Sequence, residues 1–377
     1  MIKKIVLRGL GVVFGVMILG LGFVKLNYGL GKAYPDVSTA PKLSEDKVET
    51  MIETDFPPGM VASAPDGRLF FNLHMLHQPE RFVKNTMFEF VDGKAMPFPD
   101  TESQSKFYGA MGLTVDNLYR LWVIVPASFN KEHTRLLAID IRSNKIVIEH
   151  QFEKGTARFA QDMRVSPDGK TVYMADTGAL KFTSGSIIAF DIETRTTRTL
   201  LLDHPSVNPQ NWFIRKQNGK PNRFIFGLIN MAVGIDGIAI SRDGEWLYYG
   251  AMNNDAIYRI RTAHLKDKTL SNEVLGKWVE RVGTKPLCDG IELDAANNVM
   301  ITDVENGGVA MLTSDGILHT LVKKREINWA DSIAVAPDGA VIFTDSMLTA
   351  FDSSTMRPPT REQIRAEAPY KIYRFYP

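Results

Sequence analysis

Six stretches of the chain share one pattern, in which apolar residues alternate with small or polar ones and an Asp-Gly or Asn-containing turn follows. They lie at residues 59–67, 111–117, 161–169, 236–244, 289–297 and 331–339. Each is followed by a second β-rich run, such as the one at 246–249. A strand, a tight turn and a returning strand form a β-hairpin. Six hairpins spaced by a few tens of residues predict an all-β fold, a six-bladed β-propeller.

The two ends of the chain supply strands that would close this ring. The segment at 47–52 reads as an outer strand, and the segment at 371–375 resumes the last blade after a short predicted surface helix at 358–366. Pairing the two segments would leave no exposed sheet edge. We therefore expect residues 46–377 to form one propeller domain.

One interval between the hairpins is longer than the others. The turns at Asp168 and Asp243 are 75 residues apart, whereas the other successive turns are 41 to 54 residues apart. The extra residues lie at about 201–233, and long loops in compact domains often carry function. Two interpretations stay open: a lid over the mouth of the propeller, or an additional hairpin that decorates a blade edge.

The first residues have the features of a targeting segment. Lys3, Lys4 and Arg8 precede an uninterrupted apolar run at 9–24, a pattern typical of a signal peptide or a short membrane anchor. We expect residues 1–33 to have this role and residues 34–45 to be a linker. The propeller is then predicted to be exported to the periplasm or the extracellular space, either anchored to the membrane or secreted.

Charge and cysteine content argue against nucleic-acid binding and against a disulfide-stabilised fold. The 377 residues include 44 Lys and Arg against 43 Asp and Glu, a net charge of +1, which gives no electrostatic case for binding nucleic acid. The single cysteine, Cys288, excludes an internal disulfide framework. We expect a monomer whose partners are the membrane, through the N-terminal segment, and a small molecule.

Polar residues are predicted to gather at one face of the propeller. In a blade the first strand starts, and the second strand ends, at the same face. The strand starts are Gly59, Met111, Gln161, Asp236, Asp289 and Asp331, and the strand ends add Asn72, His74, Asp176, Asn253, Asn254, Asp303 and Asp345. The candidate ligand-binding residues are Gln161, Asp162, Asn253, Asp303, Asp331 and Asp345.

Two interpretations of the aspartates stay open. Oxygen ligands from several blades suit Ca²⁺ or another divalent cation, which makes Asp236, Asp289 and Asp331 candidate metal ligands. Inward-pointing aspartates would otherwise repel one another unless they are paired or protonated. Alternatively, an aspartate at a strand start or end accepts bonds from nearby backbone N–H groups, as Asp303 and Asp345 would in capping a turn.

Histidine at the same face has two possible roles. His74 could serve as a general base at the mouth, or it could be a solvated loop histidine, which we favour. His74 and His77 have the spacing of a zinc pair, but neither a further His nor a Cys lies near them in the sequence. Zinc is therefore not expected.

The segment at 233–250, followed by the strand-like run at 256–260 and preceded by the motif at 204–207, resembles the major royal jelly protein and yellow family in its bacterial branch. The resemblance covers most of the chain after residue 45. It implies an exported six-bladed propeller with a small-molecule pocket on one face. Insect members of the family include amine-binding and dopachrome-converting proteins.

A more distant resemblance is to the gluconolactonase and senescence marker protein family, whose calcium ligands come from strand starts. Residues 158–162 are similar to one Asn-bearing motif of that family, and residues 289–294 to the Asp-bearing one. The position of the family's glutamate is Gly59 here, and its two asparagine positions are Gln161 and Asp236. The ligand set of the family is therefore not intact.

Together these observations predict a propeller that binds and transforms a small organic molecule at an acidic mouth, as a tautomerase or a lactonase would. Asp236, Asp289 and His74 are the candidate catalytic residues. The first alternative is a non-catalytic protein that binds an amine or aromatic ligand, with Met111, Phe107, Tyr108 and Trp329 as apolar walls. The second is a scaffold for another exported protein.

Overall fold

The computed structural model describes residues 2–128, 131–351, 354 and 357–377. In these residues the strands form six four-stranded antiparallel sheets arranged as the blades of a propeller, which confirms the predicted fold class. Numbered along the chain, blade 1 consists of the strands Pro58–Ser63, Leu69–Leu73, Met87–Val91 and Lys94–Pro97. Blade 2 consists of Leu113–Val115, Arg120–Val125, Arg135–Asp140 and Lys145–Gln151. Blade 3 consists of Ala160–Val165, Thr171–Asp176, Ser186–Asp191 and Thr197–Leu200.

The second half of the ring repeats this plan. Blade 4 consists of the strands Ile235–Ile240, Trp246–Ala251, Ala256–Arg261 and Glu280–Thr284. Blade 5 consists of Ile291–Leu293, Val299–Asp303, Gly308–Leu312 and Leu318–Lys323. Blade 6 contains Ala330–Val335, Val341–Asp345 and Tyr370–Phe375, with Glu49–Thr54 as its outer strand. The pairing of Glu49–Thr54 with Tyr370–Phe375 is antiparallel, so the predicted closure of the ring by its two ends is confirmed.

Glycines after the strand starts allow the innermost strands to pack closely around the axis. A Cβ atom on Gly290 would lie 2.6 Å from the carbonyl oxygen of Asp331 in the next blade. A Cβ atom on Gly112 would lie 2.6 Å from the carbonyl oxygen of Gln161. Distances this short leave no room for a side chain at either position. Glycine therefore allows the innermost strands to approach one another, and this approach brings the strand-start side chains close to the axis.

Short helices and turns connect the blades. The α-helices are Ile2–Tyr28, Thr262–Lys266, Asn272–Gly276 and Arg361–Glu367, and the 3₁₀ helices are Glu45–Lys47, Met75–His77, Pro79–Arg81 and Gln104–Phe107. The helix predicted at 358–366 begins later, because Thr360 is its N-cap and forms a capping box with Gln363. In the described part of the chain, no helix combines the length and the hydrophobicity that crossing a bilayer requires.

The N-terminal segment lies against the propeller after the first helix. Lys32–Ala33 pairs in parallel with Trp212–Phe213 of the insertion. The Tyr34 hydroxyl donates to the carbonyl of Lys285 at 2.8 Å, and the backbone N–H of Leu43 donates to the carbonyl of Leu321 at 3.0 Å. Residues 34–45, predicted as a linker, therefore follow the surface of blade 5.

Candidate functional site

A cavity of about 590 Å³ lies at the face where the first strands start, and all six blades contribute to its walls. Among the predicted site residues, the cavity is lined by His74, Gln161, Asp162, Asp236, Asp289 and Asp331. The strand-start Met111 also lines it. The repeat therefore brings together side chains that are up to 257 positions apart in the chain, from His74 to Asp331.

Bulges at the strand starts orient these side chains. The antiparallel register shifts between Ile235 and Gly237 in blade 4, and between Ala330 and Ile333 in blade 6. Blade 3 has the same irregularity between Ala160 and Asp162. A bulge bends the strand and redirects the side chain next to it. The bulges thus lie where the aspartates enter the cavity.

Asp236 and Asp331 each keep one carboxyl oxygen without a partner. Both residues are buried, and Oδ2 of each forms no hydrogen bond with any described residue. Burial raises the pKa of Asp236 well above its ordinary value, and the nearby carboxyl of Asp289 raises it further. Burial and Asp289 have the same effect on the pKa of Asp331. Both shifts favour the protonated form of the carboxyl group.

Asp289 has a smaller upward pKa shift than Asp236 and Asp331. Burial raises its pKa to about 7, while a hydrogen bond from the indole Nε1 of Trp329 to Oδ2, 2.6 Å long, favours the ionised form. A group whose pKa is near neutral can both donate and accept a proton. Trp329 itself is fully buried, so it positions the carboxylate and does not form a wall of the cavity.

His74 is buried, so the favoured interpretation of a solvated loop histidine is wrong. Only 4% of its surface is exposed, and its Nε2 lies 3.5 Å from Oδ2 of Asp331. Its Nδ1 accepts the backbone N–H of Leu76. Burial and the neighbouring His77 hold the pKa of His74 well below its usual range. The ring is therefore neutral, and because Nδ1 accepts a hydrogen bond its proton is on Nε2, which lies near Asp331 Oδ2 but forms no hydrogen bond with it.

Asp162 forms the floor of the cavity with a buried arginine. Arg164 Nη1 lies 2.8 Å from Asp162 Oδ1, and Arg164 Nη2 lies 3.1 Å from Glu292 Oε2. Burial raises the pKa of Asp162 to about 6, although the charge of Arg164 opposes this shift. Gln161 lines the wall beside it, with its amide 3.3 Å from the hydroxyl of Thr177.

Three of the predicted ligand-binding residues do not line the cavity. Asp345 accepts the backbone N–H groups of Asn328, Trp329 and Met347 at 2.9 to 3.1 Å. Asp303 accepts those of Glu305 and Asn306. Asn253 is bonded through its amide to the backbone of Val233, Met231 and Trp212. These three side chains hold the loops around the mouth in place. For Asp303 and Asp345 this is the turn-capping role given above as the alternative to ligand binding.

The apolar walls differ from the expected ones. Five methionines line the cavity, together with aromatic rings from three loops: Met60, Met75, Met111, Met231 and Met252, and Phe159, Phe224 and Phe351. Of the walls expected from the sequence only Met111 is present. Phe107 lies in the core between blades 1 and 2, and the Tyr108 hydroxyl donates to the carbonyl of Lys84.

The insertion covers part of the mouth. Its short strands Arg223–Phe224 and Ile229–Asn230 pair with each other, and Asn222, Phe224, Met231 and Val233 line the cavity. Its backbone is held to blade 5 by Arg215, whose Nη2 lies 2.8 Å from Glu305 Oε2. The insertion thus contains an extra hairpin and forms a wall of the cavity, which unites the two interpretations left open.

The residues present do not assemble a calcium site. No group of three or more His, Cys, Asp or Glu side chains within the described residues is arranged to hold a metal ion. Asp289 Oδ2 is already bonded to Trp329, and the strand starts of blades 1 and 2 are Gly59 and Met111, neither of which has a side-chain oxygen. We derive no chemical step through a metal from this donor set.

The chain is similar to a known protein family in sequence and to several solved structures in fold. The family model described as "Major royal jelly protein" matches residues 108–324. No curated protein shows significant similarity to the chain. Solved structures that share the fold include a gluconolactonase from Xanthomonas campestris, with 13% identity, a TM-score of 0.52 and coverage of 84% of this chain and 95% of that one.

Two further solved structures are similar to the same extent. The calcium-binding protein regucalcin from Agrobacterium tumefaciens has 13% identity and a TM-score of 0.52, covering 89% of this chain and 95% of that one. A luciferin-regenerating enzyme has 12% identity and a TM-score of 0.52, covering 88% and 95%. At such low identity these likenesses show a shared fold only.

Proposed function

The chain belongs to the major royal jelly protein family, and from its own site we propose that it binds a small organic molecule in the axial cavity and catalyses proton transfer within it. The observation that carries this proposal is the pair of buried carboxyl oxygens, Oδ2 of Asp236 and Oδ2 of Asp331, that no described residue bonds. Both residues line a cavity of about 590 Å³, within the size range of ligand pockets.

The protonation states support a tautomerase type of reaction. Asp331, whose protonated form burial favours, can donate a proton to one end of a conjugated substrate. Asp289, with a pKa of about 7, can accept a proton from the other end. One proton enters the substrate as another leaves it, so neither an oxidant nor a co-substrate is required. The neutral ring of His74 lies beside the Asp331 carboxyl, with Nε2 3.5 Å from Oδ2, and leaves that oxygen free to bond the substrate.

Lactone hydrolysis is the second enzymatic possibility at the same site. It needs a base that activates water, and ionised Asp289 is the candidate. Burial favours the protonated forms of Asp236 and Asp331, so two of the three carboxyls are better suited to donating a proton than to activating water. We therefore rank proton transfer within the substrate above hydrolysis.

Non-catalytic binding of an amine or aromatic ligand is the alternative from another class, and the walls favour it. Methionine and phenylalanine side chains surround the acidic floor, a combination that suits a flat apolar ligand with a cationic group. Such a cation would stabilise the ionised carboxylates, and binding would release a proton. The affinity of a cationic amine should then rise with pH between 6 and 8, whereas that of its neutral analogue should not.

The catalytic proposal is tested by substituting Asp289. With a panel of enolisable ketones, conjugated enones and lactones, we expect Asp289→Asn to lower kcat by about 10²- to 10⁴-fold, the usual contribution of a general acid or base. Asp243→Asn, in the exposed turn at the opposite face of blade 4, is the matched control and should retain full turnover. Turnover by Asp289→Asn equal to that of the control would contradict the proposal.

Export is a separate proposal that rests on the first residues. Lys3, Lys4 and Arg8 before the apolar run at 9–24 support translocation of the propeller with residues 1–33 as a signal or an anchor. In cells that express the whole chain, the propeller should be digested by protease after removal of the outer barrier but with the inner membrane intact. Protection under these conditions would contradict export.

A further inference from the structure

Two loops beside the cavity mouth expose large aromatic side chains to solvent. Phe226 is 82% exposed and Phe182 is 50% exposed. Phe224 and Leu180, each two residues earlier in the same loops, line the cavity. The exposed rings therefore lie at the rim of the opening. Exposed apolar side chains that cluster at one place mark an interaction surface more often than scattered ones do.

The turn that presents Phe226 has an unfavourable backbone. Ile225 has φ 50° and Phe226 has φ 52°, a region that β-branched and bulky residues rarely adopt. The turn is fixed by a hydrogen bond from the Phe226 N–H to the carbonyl of Ser354, 2.8 Å long. Strain of this kind persists where the surrounding structure holds it, often at functional sites.

The N-terminal helix ends at the same turn. Lys25 Nζ donates to the carbonyl of Gly227 at 2.6 Å, and the rings of Tyr28 and Phe182 are 4.4 Å apart. The helix exposes apolar side chains along its described part: Leu10, Val13, Phe14, Val16, Met17, Ile18, Leu19, Leu21, Phe23 and Leu26. The helix and the two aromatic loops are therefore joined at the rim of the cavity.

The insertion adds positive charge to this face. The insertion at 201–233 contains Arg215, Lys216, Lys220 and Arg223 against one carboxylate, Asp203. Arg215 is paired with Glu305, whereas Lys216, Lys220 and Arg223 form no ion pair with a described residue. Cations and an exposed aromatic ring on the same insertion are a combination that suits anionic phospholipid headgroups and the apolar layer beneath them.

We propose that the mouth face docks onto an anionic phospholipid surface. Phe226 and Phe182 enter the interfacial layer, and Lys216, Lys220 and Arg223 contact the headgroups. The apolar helix that ends at the turn holds the propeller at that surface. If the cavity has the function proposed above, which the docking does not require, its ligand is lipophilic and enters from the bilayer.

The test places a probe on the rim of the full-length protein. An environment-sensitive fluorophore is attached at Phe226→Cys, and Leu118→Cys, a 48% exposed position in a turn at the opposite face, is the matched control. The native Cys288 is fully buried and does not react in the folded protein. Both labelled proteins are incorporated into vesicles of phosphatidylcholine alone or with phosphatidylglycerol, so that the helix is present in every sample.

We expect a blue shift of the label at position 226 on vesicles that contain phosphatidylglycerol, and none at position 118. The shift should be lost when Lys216→Gln and Lys220→Gln are added. An unshifted label at 226, an equal shift on pure phosphatidylcholine or an equal shift at 118 would overturn the proposal. A shift without vesicles that grows with protein concentration would also overturn it, because a second copy of the chain would then cover the face.

Discussion

Two sets of buried aspartates lie at the same face of the propeller and differ in what binds their oxygens. In the strand-end set, backbone N–H groups of adjacent loops donate to the carboxylates of Asp176, Asp303 and Asp345. In the strand-start set, Oδ2 of Asp236 and of Asp331 has no partner among the described residues, and Oδ2 of Asp289 accepts only the buried indole N–H of Trp329. Burial is common to both sets, so the supply of backbone donors decides which aspartates are available for chemistry.

The pKa values follow the same division. Burial raises the pKa of Asp303 and of Asp345 to about 6, with backbone N–H groups opposing the shift. In Asp236 no such donors are present, and the neighbouring carboxyls raise its pKa further. The strand-end aspartates are thus mainly ionised at neutral pH and hold loops in place. For the strand-start aspartates, the environment favours the protonated form beside the cavity.

The largest effect is expected from truncating a strand-end aspartate. Asp345→Ala leaves three backbone N–H groups without an acceptor, and each buried unsatisfied donor costs about 1–3 kcal/mol. We expect the free energy of unfolding, measured by urea denaturation, to fall by roughly 3 kcal/mol or more.

Asp345→Asn is the matched control for that change. It retains Oδ1, the acceptor for Trp329 and Met347, and loses only the ionised Oδ2 that binds the N–H of Asn328. Its loss of stability should therefore be clearly smaller. Equal losses for the two variants would show that the backbone donors are not what holds this aspartate.

A smaller effect is expected in the pH dependence of stability. The pKa of Asp289 is about 7 in the folded protein and 3.8 as its reference value, so the folded state binds more protons between these values. Stability contributed by this proton is complete below the unfolded pKa and is lost as pH rises towards 7. Between pH 6 and 8 this group alone should remove about 1 kcal/mol, since one pKa unit corresponds to 1.36 kcal/mol.

Asp289→Asn should make the stability profile between pH 6 and 8 less steep by about that amount, as measured by urea denaturation at each pH. The strand-end aspartates, with pKa values of about 6, contribute mainly below pH 7, and the raised pKa values of Asp236 and Asp331 preserve part of the slope in the variant. An unchanged slope in Asp289→Asn would place the titrating group elsewhere.

The smallest effect on stability is expected from Asp236→Asn. Burial favours the neutral form of the Asp236 carboxyl, and its Oδ2 has no partner among the described residues, so a neutral amide of the same shape removes no hydrogen bond that holds the fold. We expect a change in unfolding free energy below about 1 kcal/mol together with lost ligand binding or turnover. A loss as large as that of Asp345→Ala would erase the distinction between the two sets.

The sequence predicted the fold and the strand-start set because both depend on local periodicity. The repeated hairpin gave the number of blades, and counting back from the turns placed Asp236, Asp289 and Asp331 at one cavity. The glycine after Asp289 is also visible in the sequence, and the structure shows why a side chain cannot replace it.

The remaining features depend on the conformation of loops, which periodicity does not encode. His74 is buried because the 3₁₀ helix Met75–His77 folds its ring inward. Asp303 accepts N–H groups of the loop after it, and Asp345 accepts N–H groups of the loops before and after it in the chain. The methionine walls require the insertion to fold over the mouth, which places Met231 beside Met252 in one apolar cluster.

The most direct test is infrared spectroscopy of protonated carboxyl groups in the folded protein at pH 7. Protonated carboxyls absorb apart from carboxylates, so their number can be followed in variants. We predict a protonated carboxyl band in the native protein that loses intensity in Asp236→Asn and in Asp331→Asn but not in the control Asp243→Asn. Absence of that band at pH 7, or a band that both cavity variants leave intact, would contradict a cluster that holds protons at the axis.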